Sequence, residues 1–438
     1  MEIFSSYNVI IGISLIIILS FIFNGVAKKT NVPAVLLLII LGIIIQYILK
    51  AFGGDTIDFF PMLEVLGIVG LIMIVLEAAL ELELKSDKLM PILKSMAIAL
   101  IGLVASTFIA AVILKALVKG MTMQSAWLYA TPLSILSSAI IIPSVSSLPI
   151  AKKEFHIYES TFSDILGIML FYFLTGRLNP AEDSGVGGFF LNLILTIVIS
   201  LVASYAIILI FQKIKSQVKL FLLIAVLLLL YALGKKMHLS SLIIILIFGL
   251  VIANMKLFFQ GKLRGYLHLE KAKSIYHELH VITAETAFVV RTLFFVIFGI
   301  TIVLSSLLSL KVTLISLLIL ISIYVIRYGL LRLFMGKDIS PQLFIAPRGL
   351  ITVLLFYAIP AEAMVEGFEP GILLFVIIGT SLIMTGGMIR DKKMNPTQEL
   401  ETTEPNESIE ETEYFINNTT DLSEIDDALP SSDEHETE

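Results

Sequence analysis

Cysteine is absent from the 438 residues, which excludes disulfides, thiolate metal sites and thiol catalysis. Charge is scarce: Asp, Glu, Lys and Arg make up 15% of the chain against 57% hydrophobic residues, and the mean hydropathy is +0.97. Soluble domains carry about 25% charged residues, so a soluble reading is excluded. Neither His-Glu-x-x-His nor Gly-x-Ser-x-Gly occurs, which leaves an intramembrane hydrolase without its usual elements. No repeated filter-like carbonyl loop or ring of charged residues is visible, which argues against a channel. His277 and His280 flank Glu278-Leu279 at a spacing that can bind metal, but they stand beside a basic loop at a helix start, and no metal site or cofactor is expected there.

What the chain has in abundance is long apolar runs. Thirteen candidate spans follow from the polar breaks, at about 7–27, 33–50, 62–82, 91–114, 125–148, 157–174, 189–211, 220–233, 239–254, 281–304, 312–333, 341–360 and 371–388. Most reach the roughly 20 residues that cross a bilayer. The eighth and ninth are short and are expected to be tilted little or partly re-entrant. The first ends at Lys28 and Lys29 with no small-residue cleavage site, so it reads as a retained span rather than a signal peptide. The expectation is an all-α polytopic membrane protein.

The formal charge of −6 comes from one end, because residues 391–438 hold 16 acidic and 2 basic residues, leaving +8 for residues 1–390. The balance therefore gives no reason to expect a nucleic-acid partner. The division expected is a transmembrane domain over 1–390 and an acidic, disordered cytoplasmic tail over 391–438. With the N-terminus outside, twenty basic residues fall on the cytoplasmic side and seven on the outer side. Short cytoplasmic loops are enriched in Lys and Arg, so the asymmetry predicts N-out, C-in and an odd number of spans. A cell membrane is the expected location. The loop 256–278 mixes basic and aromatic residues and is expected to lie along the inner interface.

Ionisable side chains at membrane depth are costly and mark functional sites by default. The candidates are Glu77, Glu159, Asp164, Glu285, Arg291, Arg327 and Arg348. Glu159 and Asp164 lie five residues apart in one helix, about 7.5 Å along its axis and roughly 140° around it. They face different environments and need separate partners. Asp164, with the hydroxyl of Ser163 beside it, offers oxygen ligands to a small hard cation and holds either a proton or that cation. Arg327 reads as a snorkelling residue near the inner end of the eleventh span, and Glu285 and Arg291 as members of interhelical pairs.

Two spans carry helix breakers at depth. The twelfth reads Ala346-Pro347-Arg348-Gly349, and the fifth has Thr131-Pro132-Leu133-Ser134, then Ser137-Ser138, then Pro143-Ser144. Non-helical backbone inside a membrane survives only where it lines a cavity or is packed in protein, and paired interruptions point to a transporter site. The fifth and twelfth spans are seven apart, as expected if spans one to six repeat, inverted, as eight to thirteen. The bland readings stand beside these: a packing kink for Pro132 and Pro143, and a purely structural ion pair for Glu159 with Arg348.

These residues resemble the monovalent cation/proton antiporter superfamily, most closely its thirteen-span sodium/proton antiporters, over roughly residues 7–390. The motifs are Leu76-Glu77-Ala78-Ala79-Leu80-Glu81-Leu82, then Glu159-Ser160 followed by Ser163-Asp164, then Pro347-Arg348-Gly349-Leu350, with Leu293-Phe294-Phe295-Val296-Ile297-Phe298-Gly299 as a softer fourth. The resemblance implies that Asp164 binds cation and proton in turn, that Glu159 pairs with Arg348, and that the crossed fifth and twelfth helices surround the site. It also implies a homodimer in which a six-helix core moves against a dimerisation domain. Two departures stand out. Ser163 replaces the family's Asn or second Asp, and no Thr-Asp-Pro occurs in the fifth span, where Thr131-Pro132 or Ser137-Ser138-Ala139 stands instead. The expected ion ligands are therefore Asp164, Ser163, Thr131 and Ser138, with Na⁺ or Li⁺ exchanged for protons without net charge. Potassium/proton exchange is the alternative.

Overall fold

The computed structural model describes residues 6–30, 32–51, 59–82, 84, 88–146, 148–178, 185–214, 219–236, 241–260, 265, 268–302, 307 and 309–394. Among them there is no strand. The helices are α1 (Ser6–Thr30), α2 (Ala34–Ala51), α3 (Phe60–Glu81), α4 (Leu89–Leu117), α5 (Met123–Ser134), α6 (Ser138–Ser144), α7 (Ile150–Gly176) and α8 (Gly185–Phe211). They continue with α9 (Lys219–Lys236), α10 (Ser241–Ala253), α11 (Met255–Phe258), α12 (Leu269–Thr301), α13 (Leu310–Met335), α14 (Leu350–Tyr357) and α15 (Gly371–Met394). Nine stretches among the described residues are long and apolar enough to cross a membrane, the interrupted Met123–Ser144 counted as one. Outward faces such as Ile18, Val104, Leu195 and Val325 are exposed and apolar, as a surface against hydrocarbon requires.

Packing sorts the helices into two groups. In the first, α12 lies against α2 and α3, and α10 against α3, α8 and α9; in the second, α4 lies against α5, α7 and α13, with α15 on α13. In the first group α2 and α12 approach closely where they cross. A Cβ on Gly42 would stand 2.2 Å from the carbonyl oxygen of Val296, and one on Gly299 would stand 2.4 Å from that of Ile39. Small residues let two backbones meet where apolar burial alone gives no drive to associate.

The fifth and twelfth runs are both broken, as their Pro and Gly content predicted. Thr122 caps α5 by accepting from the Ser125 amide at 3.0 Å, and α5 ends before an extended stretch at Ile135–Ser137, after which α6 begins. In the twelfth run residues 345–349 are non-helical before α14. Buried amides and carbonyls must find partners, and the two breaks supply one another. The Ser137 amide donates to the Pro347 carbonyl at 2.9 Å, and the Leu136 amide donates to Ser163 Oγ at 3.0 Å. The Leu133 and Ala346 carbonyls accept from the Arg348 guanidinium at 2.7 and 3.0 Å. Gly349 sits where the segments cross, since a Cβ there would lie 2.3 Å from Ser137 Oγ.

Two expectations shift at element ends. Of the loop at 256–278, residues 261–264, 266 and 267 lie outside the described residues, and from Leu269 it is already α12. Glu270, Lys271 and Lys273 are exposed there while Ala272, Ile275 and Leu279 are buried, so this part of the stretch extends the span with an amphipathic pattern, while 256–258 fall in the short α11. At the other end, α15 includes Asp391, Lys392 and Lys393, which sequence reasoning assigned to the acidic tail; 395–438 lie outside the described residues.

Candidate ion-binding site

Asp164 lies in the middle of α7 and is only 3% exposed. Its Oδ2 accepts a hydrogen bond from Ser138 Oγ, the first residue of α6 after the break. Its Oδ1 is buried with no hydrogen-bond partner. One carboxylate oxygen is thus oriented and the other is left open. The wall opposite comes from the first helical group: Val75 and Ala78 of α3 and Leu242, Ile243 and Leu246 of α10 enclose, with Asp164, a void of about 10 Å³. An ionised carboxylate against such a wall needs a bound proton or cation, since an unpaired charge in low dielectric is strongly disfavoured.

The other expected ligands are placed as follows. Ser163 is buried next to Asp164, but its hydroxyl oxygen accepts from the Leu136 amide, so it holds the unwound strand. Thr131 Oγ1 donates back to the Trp127 carbonyl at 2.8 Å, a bond one turn down its own helix, and it makes no hydrogen bond to Asp164. Ser138 is the member that reaches the carboxylate.

The expected Glu159–Arg348 pair is not formed. Glu159 is buried and receives two hydrogen bonds from Arg327 of α13, 2.7 Å from Nη1 to Oε1 and 2.9 Å from Nη2 to Oε2. Arg327 is 7% exposed and also donates from Nε to the Gln342 carbonyl at 3.0 Å, so it does not snorkel. The reason is positional. Arg348 stands in the unwound segment, beside carbonyls that the helix breaks have released, and it serves those first. Its own amide donates to Thr380 Oγ1 at 3.0 Å. Glu159, Ser163, Arg327 and Arg348 line one cavity of about 30 Å³.

Arg291 does make an interhelical pair, with Glu77 of α3 at 2.8 Å, whereas Glu285 is exposed. One residue escaped sequence reasoning altogether. His156 is fully buried with its Nδ1 3.4 Å from Glu159 Oε2. A single His three positions before an intramembrane Glu was the available signal.

A multi-pass membrane protein whose two interrupted helices cross beside a buried carboxylate belongs to the class of secondary transporters rather than enzymes. A family model described as "Sodium/hydrogen exchanger, transmembrane" matches residues 14–390. The chain belongs to this sodium/hydrogen exchanger family, whose class of activity is cation/proton antiport. In solved structures it is similar to the sodium proton antiporter MjNhaP1 from Methanocaldococcus jannaschii at pH 8, with a TM-score of 0.64 and 21% identity over 88% of this chain and 98% of the other. An electron-microscopy structure of the same antiporter gives a TM-score of 0.63 at 20% identity, covering 91% of this chain and 98% of the other. At this identity the likeness is one of fold. No curated protein sequence matches the chain at a significant level.

Proposed function

We propose that the protein exchanges Na⁺ or Li⁺ for H⁺ by alternating access, with Asp164 carrying the cation and the proton in turn. The observation that supports this most is the carboxylate itself: buried, oriented by Ser138 through one oxygen, open at the other, and without a cationic partner among the described residues. The resting charges beside it are already matched or engaged, Glu159 by Arg327 and Arg348 by two carbonyls. Asp164 is therefore the group whose neutralisation changes from step to step. On one side it releases its proton and takes the cation, the second helical group moves against the first, and reprotonation expels the cation. Proton-loaded and cation-loaded forms carry the same charge, so exchange is one for one and electroneutral.

In this reading the chain makes thirteen crossings of a cell membrane with the N-terminus outside, and the core is the second group, built from the fourth to sixth and eleventh to thirteenth runs. The first group forms the dimerisation domain of a homodimer. Asp164 leads the ligand set, Ser138 completes it through its hydroxyl, and Ser163 and Thr131 bear on it through the backbone they hold.

The test is dissipation of an imposed pH gradient in proteoliposomes on adding Na⁺, Li⁺ or K⁺ to the wild type and to Asp164→Asn. Response to Na⁺ or Li⁺ that vanishes in the variant is the expected result. A preference for K⁺ would assign potassium efflux instead, and an undiminished response in Asp164→Asn would remove that carboxylate from the mechanism.

A further inference from the structure

Exchange of the kind proposed above works only if the empty, charged carrier stays where it is. The wall facing Asp164 from the first group is apolar, which makes sliding of a bare carboxylate costly but attaches nothing to anything. A polar attachment exists one residue away. Arg291 of α12 donates through Nη2 to Glu77 Oε2 at 2.8 Å and through Nη1 to the Ala139 carbonyl at 3.4 Å. Ala139 follows Ser138, whose hydroxyl holds Asp164.

The Ala139 carbonyl is open to an outside donor for a reason legible in the sequence. In a helix it would accept from the amide four residues on, and that residue is Pro143, which has none. The long 3.4 Å bond from Arg291 takes its place. Arg291 and Glu77 belong to the first helical group, and Ala139, Ser138 and Asp164 belong to the second. The bond therefore crosses the surface along which the groups must slide. The pair is not fully enclosed by protein: its side chains are 17% and 20% exposed. Arg291 lines a cavity of about 300 Å³ together with Ser20, Asn24, Ala139, Pro143 and Thr292.

We propose that Arg291, held in place by Glu77, is a latch that fastens the unloaded core and so enforces coupling. With Asp164 ionised and empty, its carboxylate holds the Ser138 hydroxyl and with it the start of α6, so the Ala139 carbonyl stays against the guanidinium. A proton or cation on Asp164 weakens its hold on Ser138, the start of α6 relaxes, the one long bond from Arg291 gives way, and the loaded core is free to move. Arg291 acts through Ala139 without touching the transported ion. It is a positioning residue. The proposal rests on the antiport reading above.

The experiment measures ²²Na⁺ uptake into proteoliposomes at equal internal and external pH, with and without a valinomycin-clamped, inside-negative potassium diffusion potential. The variants are Glu77→Gln/Arg291→Gln, which removes both charges and leaves no unpaired carboxylate, Arg291→Lys, which keeps a cationic donor, and Glu77→Gln, which leaves Arg291 charged but unheld. Uptake by the wild type and Arg291→Lys is expected to be insensitive to valinomycin. In the double variant the empty core returns unaided, Na⁺ moves alone, and each 100 mV favours its accumulation by about fiftyfold. Glu77→Gln is expected to leak at an intermediate rate, and it carries the test by itself should the double variant not fold. Tightly coupled exchange in the charge-removing variants, or their complete inactivity in folded form, overturns the latch. If the wild type itself shows no Na⁺/H⁺ exchange, it is the antiport reading that has failed.

Discussion

Arg327 grips Glu159 with two parallel hydrogen bonds of 2.7 and 2.9 Å, joining α13 to α7 at a depth where both side chains are buried. A buried pair of this kind is expensive to break from one side, because the charge left behind has no water. Glu159→Gln or Arg327→Met is expected to destabilise the protein by about 3–5 kcal/mol. Apparent unfolding in detergent reports this, and a double-mutant cycle assigns the partner. Coupling of about 1–3 kcal/mol is expected between Glu159 and Arg327 and little between Glu159 and Arg348.

Ser138 and Ser163 separate affinity from stability. Ser138 Oγ donates to the carboxylate proposed to carry the ion, and a hydrogen bond to a charged group contributes about 1.5–3 kcal/mol. Ser138→Ala is therefore expected to raise the KM for Na⁺ roughly tenfold or more with little change in thermal stability. Ser163 Oγ satisfies the Leu136 amide. Ser163→Ala leaves that buried donor unpaired and is expected to lower stability by about 1–3 kcal/mol. Transport kinetics and thermal unfolding of the same two variants show whether the split occurs.

Much of this site can be read from residue types that are rare inside a membrane. Asp164 and Glu159 stand out because a carboxylate costs so much there, and the fifth and twelfth breaks stand out through Pro132, Pro143, Pro347 and Gly349. The partners cannot be read the same way. Three buried or half-buried arginines, Arg291, Arg327 and Arg348, all qualify for Glu159. The choice depends on which face of each helix meets which neighbour. A helix that is apolar almost all round, such as α13, carries too weak a periodicity to tell its faces apart. The same holds for Ser138 against Thr131, since the unwound backbone at Ile135–Ser137 decides which hydroxyl reaches Asp164. The third span shows the opposite case: Ala78 and Ala79 sit between Glu77 and Glu81 in a motif read from the sequence, and the structure adds that Glu77 is spoken for by Arg291.

The glycine contact between α2 and α12 has no room for a methyl group. Because the atoms a Cβ would strike are backbone, at 2.2 Å for Gly42 and 2.4 Å for Gly299, neither can move aside without shifting a helix. Gly42→Ala and Gly299→Ala are each expected to destabilise by about 1–3 kcal/mol. Thermal unfolding measures it, and the pair together should cost less than the sum, since one displacement of the helices relieves both clashes.

Proton and cation compete for one carboxylate in the proposed cycle, which fixes the sign of the pH dependence. Lowering the pH protonates Asp164 and must weaken cation binding. Below its titration point the apparent KM for Na⁺ should rise about tenfold per pH unit, the slope of a one-for-one exchange at a single site. A slope near a hundredfold would mean that a second acid takes part, with Glu77 or Glu81 the nearest candidates on α3. Initial rates of exchange across a pH series give the slope directly.

The central claim is that cation and proton occupy Asp164 alternately, and counting protons tests it without any membrane. Na⁺ is added to purified protein in weakly buffered detergent solution at a pH below the titration point of Asp164, and the protons released are compared with the Na⁺ bound. The account predicts one proton per Na⁺ in the wild type and none in Asp164→Asn. Na⁺ binding to the wild type without proton release, or equal release from Asp164→Asn, would contradict it.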